Sequence, residues 1–270
     1  MLRTRIITAA VLSCLLLAGL FLPPPPWAVF AFGAVFTLAA WEWARLGGLR
    51  GQAARIAYAA GVAILLFACW RWTADPAHLI WLLGGAVAWW MLAFLWLRLA
   101  PEHHHPRLTL FCGLAVLAPA FTALARLLAA ERGIMSGPTA VLWLILLVVA
   151  ADVGAYTAGR LFGRRKLAPR VSPGKTWEGA AGGLISVGLV AGCGAVYFGL
   201  PPLGAVPFAC SVGLFSVIGD LTESMFKRSA GVKDSGALLP GHGGLLDRID
   251  SVTAAAPLYA LGLFSSGVIA

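Results

Sequence analysis

Long runs of apolar residues, with few charges inside them, fill most of this chain. Only 11% of the residues are Asp, Glu, Lys or Arg and 60% are hydrophobic, whereas ordinary soluble domains carry about 25% charged residues. Lipid cannot hydrogen-bond a bare backbone, so such a chain crosses a membrane either as helices or as a closed barrel. Because the apolar runs are continuous rather than alternating, they favour helices. The sequence therefore predicts an all-α protein that crosses a membrane several times.

The number of membrane spans follows from the lengths of these runs. A helix needs about 20 mainly apolar residues to cross the hydrocarbon core, and prolines between several runs do not readily continue the preceding helix. The first run follows two arginines, as in a signal peptide, but no small-residue cleavage site follows it and we expect a helix. The nine predicted spans are residues 6–22, 27–44, 54–70, 78–97, 108–129, 138–158, 180–199, 204–226 and 251–269.

The basic residues lie mainly in alternate loops between the predicted spans. Lys and Arg accumulate in the cytoplasmic loops of membrane proteins, and with a cytoplasmic N-terminus 17 of the 20 lie on that side. This bias predicts that the N-terminus is cytoplasmic and the C-terminus outside. The net charge of +9 is then a sign of topology. Short loops between spans are a poor basis for nucleic-acid binding, so we expect no nucleic-acid partner.

The chain shows neither an internal repeat nor a separate soluble domain. We divide it into an N-terminal region of about five spans, residues 1–135, and a C-terminal region, residues 136–270. The C-terminal region carries the two longest polar segments, the basic loops 160–179 and 227–250, both cytoplasmic in the predicted topology. Chemistry on a water-soluble substrate is therefore expected in this region.

The first basic loop contains Ser-Pro-Gly-Lys-Thr at residues 172–176. Backbone amides near Gly174, the ammonium of Lys175 and two hydroxyls suit phosphate oxygens. The segment is not a P-loop, because that motif requires glycine where this chain has Pro169. Taken alone, an ordinary basic loop explains it better. Asp152, inside the preceding span, favours a functional interpretation, since an acid within a span is costly and usually functional.

The polar residues of the second basic loop begin inside predicted span eight. Asp220, Glu223, Ser224 and Lys227 are spaced so that they share one helical face. One interpretation is a structural stripe of ion pairs facing other helices. The more economical interpretation is a wet cavity beside the bilayer.

Two carboxylates follow at the end of the second basic loop. Asp247 and Asp250 are three residues apart, and share one face if a helix has begun there. Oxygen ligands without a Cys or His partner set favour a hard ion such as Mg²⁺ over zinc. Carboxylate-bound Mg²⁺ among lysines and arginines is typical of phosphoryl or nucleotidyl transfer, because the cations neutralise charge on the phosphates. A soluble polyphosphate and a membrane-embedded acceptor are thus predicted.

Residues 224–250 resemble the signature of the phosphatidate cytidylyltransferase (CDP-diacylglycerol synthase) family. That signature, S-x-x-K-R-x-x-x-x-K-D-x-G-x-x-L-P-x-H-G-G-x-x-D-R-x-D, is matched without a gap or a substitution. Residues 152–164 and 172–179 are also similar to the family. The resemblance covers the C-terminal half in detail and the N-terminal half only as a set of apolar spans.

The resemblance implies a nucleotidyltransferase of phospholipid biosynthesis. Such an enzyme condenses CTP with phosphatidate to give CDP-diacylglycerol and pyrophosphate, by in-line attack of the lipid phosphate on the α-phosphorus of CTP. The resemblance also implies Mg²⁺, a second cation for which a monovalent ion such as K⁺ is a candidate, and a homodimer. We expect the protein to lie in a bacterial inner membrane with its site facing the cytoplasm.

The resemblance also assigns roles at the matching positions. Asp220 and Asp247 would be the metal-binding carboxylates, with Lys227 and Arg228 as catalytic residues that hold phosphates. His242 would donate to a phosphate or make a structural hydrogen bond in its turn. Further phosphate ligands would be Ser172, Gly174, Lys175, Lys233 and Arg248, and secondary ligands or orienting partners Asp152, Glu178, Glu223, Asp234 and Asp250.

Other classes of protein share part of this pattern. A CTP-dependent lipid or polyprenol kinase would also need Mg²⁺ and basic residues, but the unbroken signature favours the cytidylyltransferase. A CDP-alcohol phosphotransferase would need D-G-x-x-A-R followed by spaced aspartates, which this chain lacks. A transporter could use Asp152 and Asp220 as ion sites, but it would not need two phosphate-type loops on one face.

One further acid lies in the N-terminal region. Glu42 stands between Trp41 and Trp43 at the cytoplasmic end of span two. Because tryptophan concentrates at membrane interfaces, we predict that Glu42 is an interfacial residue.

Overall fold

The computed structural model describes residues 2–101, 105–239, 241 and 243–269. Within these residues the chain forms nine α-helices and one short β-hairpin. In chain order the elements are α1 (Leu2–Phe21), α2 (Pro25–Leu46), α3 (Gln52–Trp72), α4 (Pro76–Leu99), α5 (Pro106–Leu128), α6 (Gly137–Phe162), β1 (Lys166–Ala168), β2 (Ser172–Thr176), α7 (Trp177–Phe198), α8 (Pro202–Ser229) and α9 (Leu246–Ser265).

The described helices match the predicted spans in number and order, which confirms the predicted fold class. Helices α2, α4, α5, α6 and α8 have proline in their first turn. Proline suits this position because its missing N–H would have had no partner there. Prolines that the sequence analysis placed in breaks therefore begin the next helix. Several helices also extend beyond their apolar runs. Helix α6 ends at Phe162, whereas we predicted an end at residue 158.

Seven of the described helices, α2 to α8, are long and apolar enough to cross a membrane. Helix α1 contributes a shorter apolar stretch, Ile7–Phe21. Helix α9 falls outside the set because Asp247, Arg248 and Asp250 lie in its first five residues. The chain is therefore a polytopic membrane protein.

The C-terminal helices pack closely at glycines. A Cβ on Gly182 of α7 would clash with the Cβ of Ala158 on α6. A Cβ on Gly219 of α8 would lie 2.6 Å from the carbonyl oxygen of Asp250 on α9. Glycine permits such close approach because it has no side chain. These contacts bring the polar ends of α6, α8 and α9 into one part of the molecule.

The first basic loop contains a hairpin that the sequence analysis did not predict. Strand β1 pairs antiparallel with β2, with Lys166 opposite Thr176 and Ala168 opposite Ser172. Thr176 then caps α7, because its hydroxyl oxygen accepts a hydrogen bond from the backbone N–H of Gly179 at 3.1 Å. The Ser-Pro-Gly-Lys-Thr segment is thus held as a strand that leads directly into a helix.

The N-terminal helices pack against the C-terminal ones. Helices α4 and α5 contact α9, and α4 also contacts α8. At this junction the ring centroids of Trp43 on α2 and Phe226 on α8 are 5.4 Å apart. The two predicted regions therefore share a core.

Candidate active site

A cavity of about 500 Å³ lies between α6, β2, α7 and α8. Its polar wall includes Asp152 from α6, Lys175 from β2 and Asp220 from α8. The Nζ of Lys175 lies 2.6 Å from Oδ2 of Asp220. This ion pair joins the first basic loop to the helix that leads into the second. We call Asp152, Lys175 and Asp220 the cavity cluster.

Two further residues of the cavity wall lie in the family-like segment 152–164 but were given no individual role. Tyr156 and Arg160 line the cavity with the cavity cluster, and the Arg160 guanidinium donates a hydrogen bond to the Tyr156 hydroxyl at 3.0 Å. Their spacing of four and eight residues from Asp152 on α6 was the available signal, because such positions share one helical face. Gly174 adds open backbone to the wall, with no atom within 4 Å of the place where a Cβ would stand.

A second set of polar side chains converges on Asp247 at the start of α9. Oδ1 of Asp247 accepts a hydrogen bond from Nζ of Lys227 at 2.7 Å. Oδ2 accepts from the Ser235 hydroxyl at 3.0 Å and from the Gly244 backbone N–H at 2.8 Å. The Ser235 backbone N–H donates to the same carboxylate. Through these hydrogen bonds Asp247 holds the second basic loop against the first turn of α9.

Glu42 is buried inside the protein and contacts the second basic loop, which the sequence did not indicate. Its side chain is fully buried, and Oε2 accepts hydrogen bonds from the Ser235 hydroxyl at 3.1 Å and the Leu246 backbone N–H at 2.8 Å. Gly236 and Gly244 make room for the carboxylate, because a Cβ on either would clash with it. The flanking tryptophans indicate depth in the membrane, but they carry no information on a hydrogen-bond partner 193 residues away. We call Glu42, Lys227, Ser235 and Asp247 the loop hub.

The predicted polar face of α8 divides between these two sets. Asp220 faces the cavity and accepts a hydrogen bond from the Ser224 hydroxyl at 3.3 Å. One to two turns later, Glu223 and Lys227 are buried, with 3.1 Å between Oε1 and Nζ. Both interpretations left open by the sequence therefore apply, the open cavity at Asp220 and the ion pair at Glu223 and Lys227.

The other predicted residues of the second loop differ in their exposure. Arg228, Lys233, Asp234 and Arg248 are exposed. Asp250 is half-buried, and its Oδ1 accepts a hydrogen bond from the Ser251 backbone N–H at 2.7 Å. His242 lies outside the described residues.

Two predicted residues of the first loop shape the hairpin. Ser172 is half-buried at the start of β2. The Glu178 carboxylate accepts hydrogen bonds from the backbone N–H groups of Arg164 at 3.1 Å and Arg165 at 3.2 Å. Glu178 therefore closes the hairpin onto the first turn of α7.

Comparison with known proteins extends the resemblance to the whole chain. Residues 3–265 match the cytidylyltransferase family. The chain belongs to this family. It is 45% identical to the phosphatidate cytidylyltransferase of Pseudomonas aeruginosa, over 99% of this chain and 98% of that protein. It is 39% identical to the enzyme of the same name from Haemophilus influenzae, over 98% and 99%. A Brucella suis phosphatidate cytidylyltransferase is 48% identical over 46% of this chain and 47% of its own.

The donor set of this cytidylyltransferase fits Mg²⁺ that arrives with a nucleotide. The described residues contain no group of three or more His, Cys, Asp and Glu side chains able to hold a metal ion. Mg²⁺ does not require one, because it keeps several waters and is usually bound by one or two carboxylates together with substrate phosphates. Asp152 and Asp220 offer carboxylate oxygens on the cavity wall. Asp247 offers a further carboxylate, whose Oδ1 contacts the Lys227 ammonium.

The cavity wall carries cationic side chains and carboxylates that are partly exposed to solvent. The side chains of Lys175 and Asp220 are 27% and 28% exposed, so their ion pair can open toward an incoming phosphate at small cost. Arg160 adds a guanidinium, which binds phosphate oxygens in a fork. This arrangement can bind a polyphosphate next to a divalent cation.

Proposed function

We propose that this cytidylyltransferase condenses CTP with phosphatidate at the cavity cluster, giving CDP-diacylglycerol and pyrophosphate. The observation that carries the proposal is the ion pair between Lys175 and Asp220, which joins a phosphate-type segment to an acidic helix end at one cavity. Two relatives named phosphatidate cytidylyltransferase, aligned over nearly the full chain, support this pair of substrates. The family match does not favour the kinase alternative.

The position of Asp220 suits a substrate that stays in the bilayer. Asp220 lies nine residues before the end of α8, which corresponds to a depth of about 14 Å along the helix. The cavity wall above it is formed by β2 and the last turns of α6. We infer that the lipid phosphate reaches the cavity from the membrane and that CTP enters from the side of the hairpin.

The chemistry requires positioning and charge stabilisation. A phosphate oxygen of phosphatidate forms a bond to the α-phosphorus of CTP, the bond between the α-phosphorus and the bridging oxygen breaks, and pyrophosphate leaves. No protein nucleophile takes part. Lys175 and Arg160 bind phosphate oxygens and stabilise the negative charge that develops on the leaving group. Mg²⁺, when bound, neutralises phosphate charge and orients the leaving group.

We assign the cation site to Asp220 and Asp247, with Asp152 as an orienting partner on the cavity wall. The family resemblance supports the pair, and the shared cavity wall supports Asp152 and Asp220. A second, monovalent cation such as K⁺ belongs to the same proposal. Mg²⁺ should raise the unfolding temperature of the wild-type protein more than that of Asp220→Asn. Equal shifts of the unfolding temperature in the two proteins would show that Asp220 is not a ligand of the cation.

The exposed basic residues of the second loop are proposed to bind phosphates. Arg228, Lys233 and Arg248 are exposed, so their side chains can reach an entering triphosphate. Lys227 is buried between two carboxylates, and we infer that it acts by holding Asp247 and the loop in place. Its effect on catalysis would then accompany a loss of stability.

The direct test follows a labelled phosphate. Purified protein is incubated with phosphatidate and CTP labelled at either the α- or the γ-phosphorus, with and without EDTA. Label from the α-position should appear in a CDP-lipid, label from the γ-position in pyrophosphate, and EDTA should abolish both. Transfer of the γ-label to the lipid with release of CDP would select a kinase instead.

We further propose that the protein lies in a bacterial inner membrane with both basic loops in the cytoplasm. The charge bias between loops supports this orientation. In a cysteine-free variant, Lys233→Cys should react with an impermeant thiol reagent in inverted vesicles, and Arg132→Cys in spheroplasts. The reverse pattern would invert the topology.

A homodimer is the last part of the proposal, and it rests on the family resemblance. Light scattering of the detergent-solubilised protein should give twice the 28.2 kDa mass of the chain after subtraction of the detergent. A mass of one chain, with full activity, would contradict it.

A further inference from the structure

Glu42 lies on α2, outside the helices and strands that form the cavity wall, yet it reaches the second basic loop. Its Oε2 accepts hydrogen bonds from the Ser235 hydroxyl and from the Leu246 backbone N–H. The first bond fixes the loop, and the second fixes the residue that precedes Asp247. One carboxylate from the N-terminal region therefore holds both sides of Asp247.

The Ser235 hydroxyl connects the two acids directly. Its oxygen lies 3.1 Å from Oε2 of Glu42 and 3.0 Å from Oδ2 of Asp247. A hydroxyl has a single proton to donate, so the two carboxylates compete for it. The Ser235 backbone N–H also points to Asp247. Movement of Glu42 would thus be transmitted to the orientation of the Asp247 carboxylate.

A buried glutamate is a poor choice for stability alone at this position. The side chain is fully buried, and Oε1 has no hydrogen-bond partner within the described part of the chain. Burying a carboxylate oxygen without a partner costs free energy, and a well-packed apolar side chain is often at least as stabilising. The backbone also adapts to this acid, because Gly236 and Gly244 leave no room for a Cβ beside it.

We propose that Glu42 is a positioning residue for nucleotidyl transfer, which orients Asp247 through Ser235 and the first turn of α9. This inference rests on the proposed function, because it assigns Asp247 to the cation site. Residues that orient metal ligands typically contribute 10- to 100-fold to metal affinity or activity. Glu42→Ala should therefore lower kcat by about 10- to 100-fold and raise the Mg²⁺ concentration needed for half-maximal activity by a similar factor.

A matched control separates positioning from stability. Phe36 is also buried on α2, and its ring packs against Phe121 with centroids 5.9 Å apart, away from the loop hub. Phe36→Ala should lower the unfolding temperature without changing kcat or the Mg²⁺ requirement of the folded protein. Glu42→Gln should recover most of the activity, because its amide oxygen can accept the hydrogen bonds from Ser235 and Leu246.

The experiment compares the full-length variants in detergent. It measures kcat, KM for CTP, the Mg²⁺ requirement, the unfolding temperature and hydrogen exchange of peptides covering residues 233–246. Faster exchange in that segment for Glu42→Ala, but not for Phe36→Ala, would support the proposal. Equal losses of activity in the two variants, or unchanged exchange in both, would overturn it.

A second variant keeps the test decisive if Glu42→Ala does not fold. Ser235→Ala removes the link between the two acids but leaves the bond from Leu246, so we expect a smaller loss in kcat and a raised Mg²⁺ requirement. Wild-type kinetics in Ser235→Ala would overturn the inference. If the wild-type protein made no CDP-lipid, the proposed function would fail, whereas the hydrogen-exchange comparison would still report whether Glu42 holds the loop.

Discussion

The cavity cluster and the loop hub each contain a lysine–aspartate ion pair. The N–O distances of the two pairs are nearly the same, but their solvent exposure differs. Lys175 and Asp220 are 2.6 Å apart and 27% and 28% exposed. Lys227 and Asp247 are 2.7 Å apart and 11% and 6% exposed. A partly exposed pair is cheap to open, whereas removing one partner of a buried pair strands a charge. The first pair is therefore suited to exchange its partners for substrate, and the second is suited to hold the Asp247 carboxylate and the loop in a fixed position.

The largest effect is expected for Asp247→Ala. This change removes one of the two ion-pair partners of Lys227 and the acceptor of the Ser235 and Gly244 backbone N–H groups. The free energy of unfolding should fall by about 3–5 kcal/mol, and CDP-lipid formation should be lost. Unfolding can be followed by the fluorescence of the 11 tryptophans. A variant as stable as the wild type would show that the loop hub does not hold the loop.

Asp220→Asn should separate activity from stability. Its partner Lys175 is partly exposed, so we expect the unfolding free energy to change by less than about 1 kcal/mol. Activity should fall by about 10²- to 10³-fold, as for the loss of an electrostatic group at a reacting centre. Because Lys175 becomes free to bind phosphate, KM for CTP should not rise. Steady-state kinetics on the folded variant check this. A large loss of stability would show that Asp220, like Asp247, holds the structure together.

Lys175→Gln tests the other partner of the same pair. Loss of a charge-assisted hydrogen bond to a phosphate should lower kcat/KM for CTP by about tenfold, with little change in the unfolding temperature. Arg170→Gln, on the exposed turn of the same hairpin, serves as the control for loop charge. Equal effects of the two changes would indicate a general attraction of CTP to the basic loop.

The smallest effect is expected for Glu178→Gln, which lies beside the cavity but outside both sets. Its carboxylate accepts hydrogen bonds from two backbone N–H groups of the hairpin, and an amide oxygen can still accept them. Activity should stay within about twofold of wild type. A loss of activity as large as that of Asp220→Asn would show that Glu178 acts at the reacting centre and does not only support the hairpin.

The position of residues along a helix was predictable from local spacing, but their surroundings were not. Asp220 and Lys227 were assigned to one helical face from their spacing of seven residues, and both lie where the helix places them. Asp220 lies in an open environment and Lys227 in a buried one, because α9 and the second basic loop cover the Lys227 end of that face. Local spacing carries no information on which part of a face a distant segment will cover.

The hairpin and Glu42 illustrate two further kinds of missed feature. The hairpin pairs only a few residues, too short a segment for alternation of apolar residues to reveal a strand. Glu42 was assigned from its tryptophan neighbours, whereas its hydrogen-bond partners lie 193 and 204 residues away. Contacts of that range are set by packing, because only the folded chain brings α2 beside the start of α9.

The sequence by itself determined the membrane character, the helices and their order, and the family. Lipid forces backbone pairing within each apolar run, and the long signature in the second loop is specific on its own. Only the tertiary structure decided which lysine meets which aspartate, that Lys175 faces Asp220, and that Glu42 supports Asp247. The physical reason is that burial sets the strength and cost of each ion pair, and burial is a property of the packed helices.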